Sequence, residues 1–255
     1  MEPIKFDELD ARMRALETES DARLPREGFL IARLDGRGFT RLTKELLALE
    51  KPFDPRFHGA MSETLALLFN CGFTLDFGYS QSDEISLLFA SGGVPFERKT
   101  RKLLSVLAGE ASAQFSLSLG ARGAFDCRLL LLRSQNSVCD YFLWRQLDAM
   151  RNALSAHCYW LARAQGLSPK AATQRFADAS QREKRAFLSE NCIDFDGLPP
   201  WQTRGFGAFY QTFDKAANNP LTGQAVVATR KRLVFDRELP CNGDFTLYLS
   251  QKLPS

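Results

Sequence analysis

The chain has 255 residues, a formal net charge of +3, 45% hydrophobic and 25% charged residues, values that exclude disorder as its main state and name no partner through charge alone. That length holds one large domain or two modest ones sharing a core. No stretch reaches the ~18 apolar residues of a membrane span, and residues 1–20 alternate acids and bases without a signal peptide's apolar centre, so a cytoplasmic location is expected.

In chain order, Phe6, Leu9, Met13 and Leu16 recur at helical spacing and predict an amphipathic helix over 5–18. Residues 28–34 read as a buried strand stopped by the turn Asp35-Gly36-Arg37-Gly38, and a helix follows through Phe39, Leu42, Leu46 and Leu47. Lys51-Pro52-Phe53-Asp54-Pro55 interrupts it, because each proline removes a backbone donor and restricts its predecessor. Asp54 is placed to cap the next helix, about 55–70, with Pro55 at its first position. Strands at about 72–79 and 84–90 follow, then a helix over 96–118 and a strand at 125–132. The order β, helix, β, β, helix, β predicts an α+β fold, the ferredoxin-like βαββαβ unit. Beyond 135 the pattern changes to an aromatic-rich helix over 137–165, a short helix opened by Ser168-Pro169, a charged segment over 181–190, and a terminal hairpin from 204–213 and 224–235. The expected division is a catalytic unit over 1–135, carrying the short N-terminal helix, and a helical and hairpin region over 136–255 packed on it.

The chemistry-bearing residues centre on Asp35 and Asp83. In a ferredoxin-like sheet the first and third strands are the central pair, so the end of the first lies beside the turn entering the third. The two carboxylates then converge, and without a cation they would repel and resist joint ionisation. A divalent metal resolves this, and magnesium favours one or two carboxylates, waters and substrate phosphates. With the Gly36 carbonyl they would hold two magnesium ions that clamp the attacking and leaving oxygens around phosphorus. Taken singly, Asp35 is equally a turn residue and Asp83 a solvated hairpin acid; their joint placement carries the metal reading. Only His58 and His157 are present, and the six cysteines form no C-x-x-C pair, so buried reduced thiols are expected rather than a zinc site.

Arg98, Lys99, Arg101 and Lys102 crowd the start of the expected 96–118 helix, where Arg98 with Arg101 or Lys102 would clasp a triphosphate; a solvated helix face is the alternative. Lys51, Asp54 and Lys184 are similar candidates. Arg230, Lys231 and Arg232 are candidate RNA-backbone contacts, although strand alternation would split them between faces. The aromatic stripe of helix 137–165 reads as core. Asp148 and Asn152, four apart with Arg145 three before, read as a site triplet or an ordinary salt bridge.

The segments Arg33-Leu34-Asp35-Gly36-Arg37-Gly38-Phe39, Lys51-Pro52-Phe53-Asp54, Tyr79-Ser80-Gln81-Ser82-Asp83-Glu84, Phe125-Asp126-Cys127-Arg128 and Asp140–Gln146, with Asp148 and Asn152, together resemble the tRNA-histidine guanylyltransferases and related 3′-to-5′ polymerases. The resemblance covers about residues 28–205. It implies a polymerase- or cyclase-type palm, with catalytic acids Asp35, Asp83 and Glu84 and two Mg2+ ions on Asp35, the Gly36 carbonyl and Asp83. It further implies nucleotide contacts from Arg37, Gly38, Phe39, Lys51, Asp54, Ser82, Lys99, Lys102, Asn152 and Lys184. The implied substrates are tRNA, with ATP activating its 5′ end, and GTP or another nucleoside triphosphate as the incoming nucleotide; a homotetramer is implied too. Thr40 stands where related eukaryotic chains carry histidine, and Met150-Arg151-Asn152-Ala153 replaces their His-Ile-Asn-Asn block. The chain therefore resembles the bacterial and archaeal branch, which repairs 5′-truncated tRNA by copying the opposite strand. The alternatives are a strict tRNA-histidine guanylyltransferase adding one G, a nucleotide cyclase on a similar palm, and a non-catalytic RNA-binding module.

Overall fold

The structure, a computed structural model, describes residues 5–218 and 224–253. Helix α1 (Phe6–Thr18) leads into strand β1 (Phe29–Gly36), the short helix α2 (Phe39–Arg41) and a wider-pitch turn at Leu42–Leu46. Then come α3 (Pro55–Leu68), β2 (Leu75–Gln81), β3 (Glu84–Phe89), α4 (Thr100–Leu119) and β4 (Phe125–Leu132). The 30-residue α5 (Gln135–Ala164) is followed by α6 (Pro169–Arg175), α7 (Gln181–Glu190), α8 (Pro200–Thr203), β5 (Phe206–Asn218), β6 (Ala225–Asp236) and α9 (Asn242–Lys252).

One six-stranded sheet runs in the order β4-β1-β3-β2-β5-β6 with antiparallel neighbours throughout. Within the β4-β1-β3-β2 part of the sheet, β1 and β3 are the inner pair. Alternation assigns the two sheet faces. Leu30, Ala32, Leu34, Ile85 and Leu87 pack on α3 and α4 through Leu65, Leu103 and Leu107. Ile31, Phe77, Tyr79 and Leu88 face α5 and α9 through Val138, Phe142 and Phe245. Full burial of an apolar side chain such as Phe142 or Phe245 stabilises by roughly 1.5–3 kcal/mol, and both are completely enclosed. The far half of α5 forms a third core with α6 and α7 around Leu154, Cys158 and Leu188. Tyr141 and Phe142 on α5 are buried, so that part of the aromatic stripe is core; Tyr159 and Trp160 are only half-buried and Trp144 stays half exposed.

Several expectations are corrected. The helix expected over 96–118 starts at Thr100, because Phe96, Glu97 and Arg98 all take positive φ. Backbone bonds from Leu24 N–H to the Arg98 carbonyl and from Thr100 N–H to the Ala22 carbonyl hold this kink. Arg98 therefore precedes the helix and donates to the Leu24 carbonyl, so the clasp it would have made with Arg101 or Lys102 does not form. The helix after Phe39 shortens to α2 and the wide turn, leaving Leu46 exposed. β2 begins at Leu75, not 72. Helices α8 and α9 were not anticipated. All six cysteines are free; Cys139 and Cys158 are buried, whereas Cys192 is exposed against the expectation of burial. Among the described residues no helix is long and apolar enough to cross a membrane.

Candidate active site

The end of β1 and the start of β3 are joined rung by rung. Asp35 stands opposite Glu84, and the Gly36 N–H donates to the Asp83 carbonyl at 3.0 Å. Asp126 of β4 opposes Asp35 on the other side. Gly36 is required by space: a Cβ there would lie 2.6 Å from the Phe39 ring and 2.8 Å from the Asp83 Cβ. Its absence lets the Asp83 turn close onto the strand end. Burial pushes the Asp83 carboxyl above its usual range, and the Asp35 carboxylate pushes it further. Ser82, at φ 48°, sets its hydroxyl 3.1 Å from Asp83 Oδ1.

These donors fit a hard divalent cation. Two mutually repelling carboxylates and a carbonyl make an all-oxygen set of the kind magnesium accepts while keeping waters. Among the described residues no three His, Cys, Asp or Glu side chains converge to chelate an ion alone, so the backbone oxygen and bound phosphate would complete any such site.

Glu84 is differently placed. It is 7% exposed and accepts from Arg145 Nε at 2.8 Å, with Arg33 Nε 3.8 Å away. Burial raises its carboxyl while Arg145 and then Arg33 oppose that rise. Arg145 also donates to Asp148 Oδ2 at 2.6 Å, and Asp148 accepts from Arg151 and from Asn152 Nδ2. Sequence reasoning saw Arg145, Asp148 and Asn152 as a triplet but missed its link to Glu84.

Beside the acids opens a cleft of about 270 Å³ between the α2–α3 segment, α5 and α8. Phe39, Lys51, Asp54, Ser82, Asp83 and Asn152 all line it. Its aromatic walls are Phe53, Trp160, Trp201 and His58. His58 stacks on Trp201 with ring centroids 4.3 Å apart and accepts from Arg237 Nε at 3.2 Å. Burial, helped by Arg237, lowers its pKa to about 4, so it is neutral at physiological pH. Lys51 donates to the Thr43 carbonyl and sits 5.3 Å from the Trp160 ring centre; burial lowers its pKa. An aromatic slot ending in cations and carboxylates suits a nucleotide, base on the rings and phosphates at the acids.

Two family models match the chain: tRNAHis guanylyltransferase (Thg1) over residues 10–133 and the Thg1 C terminal domain over 136–235. The chain belongs to the tRNAHis guanylyltransferase family. The family's members bear the name of a nucleotidyltransferase. A solved bacterial Thg1-like protein in complex with GTP is 28% identical, superposes with a TM-score of 0.76, and the match covers 96% of this chain and 99% of that one. Among curated relatives, the probable tRNA(His) guanylyltransferase of Mus musculus is 27% identical over 81% of this chain and 75% of its own length. The tRNA(His) guanylyltransferase 1 of Arabidopsis thaliana is 24% identical over 88% of this chain, which spans only 41% of that relative.

Within this tRNAHis guanylyltransferase family fold, the other sequence-derived candidates fall in five places. Asp54 is buried and caps α3, accepting from the Arg56 and Glu50 N–H groups at 2.7 Å and from Arg56 Nη2 at 2.7 Å. The Arg56 guanidinium holds its carboxyl well below the usual range. Its oxygens shape the cleft wall. Phe39 is 3% exposed and packs on Phe57, Phe115 and Phe125, so its ring is mainly core. Arg37 is exposed beside the acids, its N–H on the Ala124 carbonyl, and Gly38, at φ 75°, starts α2. Lys184 on α7 hydrogen-bonds Ser155 of α5 behind the cleft wall.

Lys99 and Lys102 lie far away. β4 enters at Phe125 opposite Gly36, so the C-terminal end of the 20-residue α4 is the end near the acids. Phe125 sits at the level of Ser112 and Phe115, so the N-terminal end, with both lysines, is about 20 Å off along the helix axis. Lys99 there approaches Asp21 at 4.0 Å, and Asp21 is bound by Arg101. The structure does not bring these two lysines to the acids within one chain. His58, Trp160, Trp201 and Arg33 are site neighbours the sequence reading did not assign. The first three carry no motif; Arg33 stood in the resemblance segment, where strand alternation places it on the Glu84 face.

Proposed function

We propose that this protein is a magnesium-dependent nucleotidyltransferase that adds nucleotides to tRNA 5′ ends in the 3′-to-5′ direction and repairs truncated ends by copying the opposite strand. The observation that carries the reading is the Gly36–Asp83 backbone bond, which brings the end of β1 with Asp35 beside Asp83, itself a lining residue of an aromatic cleft of about 270 Å³. The GTP complex of the bacterial relative, and an ATP complex 27% identical with a TM-score of 0.73, support nucleoside triphosphates as substrates. The βαββαβ unit is read as a polymerase-type palm, and the β5–β6 ribbon as the C-terminal hairpin.

Asp35, the Gly36 carbonyl and Asp83 would hold two magnesium ions. Bound there, the metal would supply Lewis-acid polarisation and neutralise charge at phosphorus. The chain's own residues orient and enclose. Phe53, Trp160, Trp201 and neutral His58 bind a base and exclude water. Lys51, lowered in pKa and facing the cleft, meets phosphate oxygens; Ser82 and Asn152 offer hydrogen bonds at its rim. The 3′-hydroxyl of the incoming nucleotide then attacks the 5′-phosphorus of the activated tRNA, and AMP or pyrophosphate leaves with the electron pair. No side chain is assigned as general base: His58 Nε2 is occupied by Arg237. RNA is read as lying along the β5–β6 ribbon, and the protein as a cytoplasmic homotetramer.

The test presents tRNAs lacking their first 5′ nucleotide, each with a different opposing base, and sequences the products. A match between added and opposing base is expected. Addition confined to tRNA-histidine would restore the strict guanylyltransferase reading. Cyclic product from GTP without RNA would mean a cyclase, and RNA binding unaffected by Asp35→Ala without any addition would mean a binding module.

A further inference from the structure

Glu84 sits one residue from Asp83, and Asn152 lines the cleft, yet the two touch different parts of the molecule. A single buried side chain joins them. Arg145, 5% exposed, directs Nε to Glu84 Oε1 at 2.8 Å and Nη2 to Asp148 Oδ2 at 2.6 Å. The Trp144 ring lies 4.2 Å from its guanidinium carbon and fixes the plane of the fork. Asp148 Oδ2 in turn accepts from Asn152 Nδ2 at 3.3 Å. The path therefore runs from the acid turn on β3, through one guanidinium, to the cleft wall on α5.

We propose that Arg145 is a positioning residue that holds the acid turn and the nucleotide cleft in one register, so that cation binding at the acids and nucleotide binding at Asn152 strengthen one another. This rests on the nucleotidyltransferase reading above. The physical reason is rigidity. A guanidinium presents donors in a fixed planar fork, so Glu84 and Asp148 cannot shift independently. A nucleotide that orders Asn152 orders Asp148, and through the fork the backbone of Glu84 and its neighbour Asp83. A lysine keeps the charge opposite Glu84 but can no longer span both carboxylates.

The test compares wild type, Arg145→Lys, Asp148→Asn and Asn152→Ala, with thermal unfolding as the folding check. Calorimetry measures GTP affinity with and without magnesium. In wild type magnesium tightens GTP binding; in Arg145→Lys that tightening is expected to shrink about 5-fold while metal-free GTP affinity stays within about 3-fold. Steady-state addition to RNA should show kcat down roughly 10-fold with little change in KM for GTP, the mark of misplaced reacting groups. Arg145→Lys and Asn152→Ala share one path, so their combined loss in kcat should fall short of the product of the single losses. Should Arg145→Lys fail to fold, Asp148→Asn, at the half-buried end of the fork, is expected to give the same loss of magnesium coupling. An undiminished magnesium effect in a folded variant, or losses that multiply, overturns the proposal while leaving the functional reading intact. Wild type that binds GTP but adds nothing to any RNA end sinks the functional reading, and the positioning role with it.

Discussion

Asp35 and Asp83 come near one another because β1 pairs with β3 at Asp35 and Glu84 and the next residue, Gly36, bonds the Asp83 carbonyl. Asp35→Ala is expected to lower nucleotide addition roughly a thousandfold with circular dichroism and melting unchanged, since the side chain fills no core space; residual turnover near wild type would remove Asp35 from the site. Such residues were legible in the sequence because acids at both ends of strand-like runs, plus a β-helix-β-β order, fix their adjacency. His58 and Trp201 were not legible: their stacking joins distant parts of the chain with no local pattern. The pair of histidines also sets a pH dependence. Burial lowers both His58 and His157 to about 4 from an ordinary value of 6.5. Between those values the unfolded chain takes up protons that the folded one refuses, so stability present above about 6.5 is lost as pH falls toward 4. Melting temperature should drop by several degrees from pH 7.5 to 5.5, and His58→Gln with His157→Gln should flatten that slope. An unchanged slope in the double variant would place the acid sensitivity elsewhere.

At the level of elements, β1, β4, α3 and α6 emerged close to where periodicity and turn residues set them, whereas α7 stood in the sequence only as a charged segment. Asp54 with Pro55 marked the start of α3, and the structure adds the capping bonds. The start of α4 misled because its kink depends on backbone bonds to residues 22–24, which no local spacing reveals. Helix α9 was overlooked although Phe245 and Leu249 stand four apart; Asn242 and Gly243 at its head imitate a turn. Phe245→Ala should cost about 3–5 kcal/mol in denaturant unfolding, and a loss under 1 kcal/mol would mean α9 is not anchored. The ribbon resolves the doubt over residues 230–232. Cross-strand register puts Arg230, Arg232 and Lys215 on one face with Phe213, and Lys231 on the other. Arg230→Ala with Arg232→Ala should weaken RNA binding and reduce its salt slope by about 2 while GTP affinity holds; an unaltered slope would move the RNA elsewhere.

Across the whole molecule, the tetramer reading is checked by light scattering, expected at four copies of the 28.7 kDa chain; a monomer in solution would discard it. The internal seam has a consequence of its own. β5 joins β2 by three rungs, and α5 and α9 roof the sheet from the far side of residue 134. Asp35 and Asp83 belong to one side of that seam and Asn152 to the other. A gene cut there would yield two sticky halves, each insoluble when made alone. Made together they should find one another and regain catalysis, turning the enzyme into a reporter of its own reassembly.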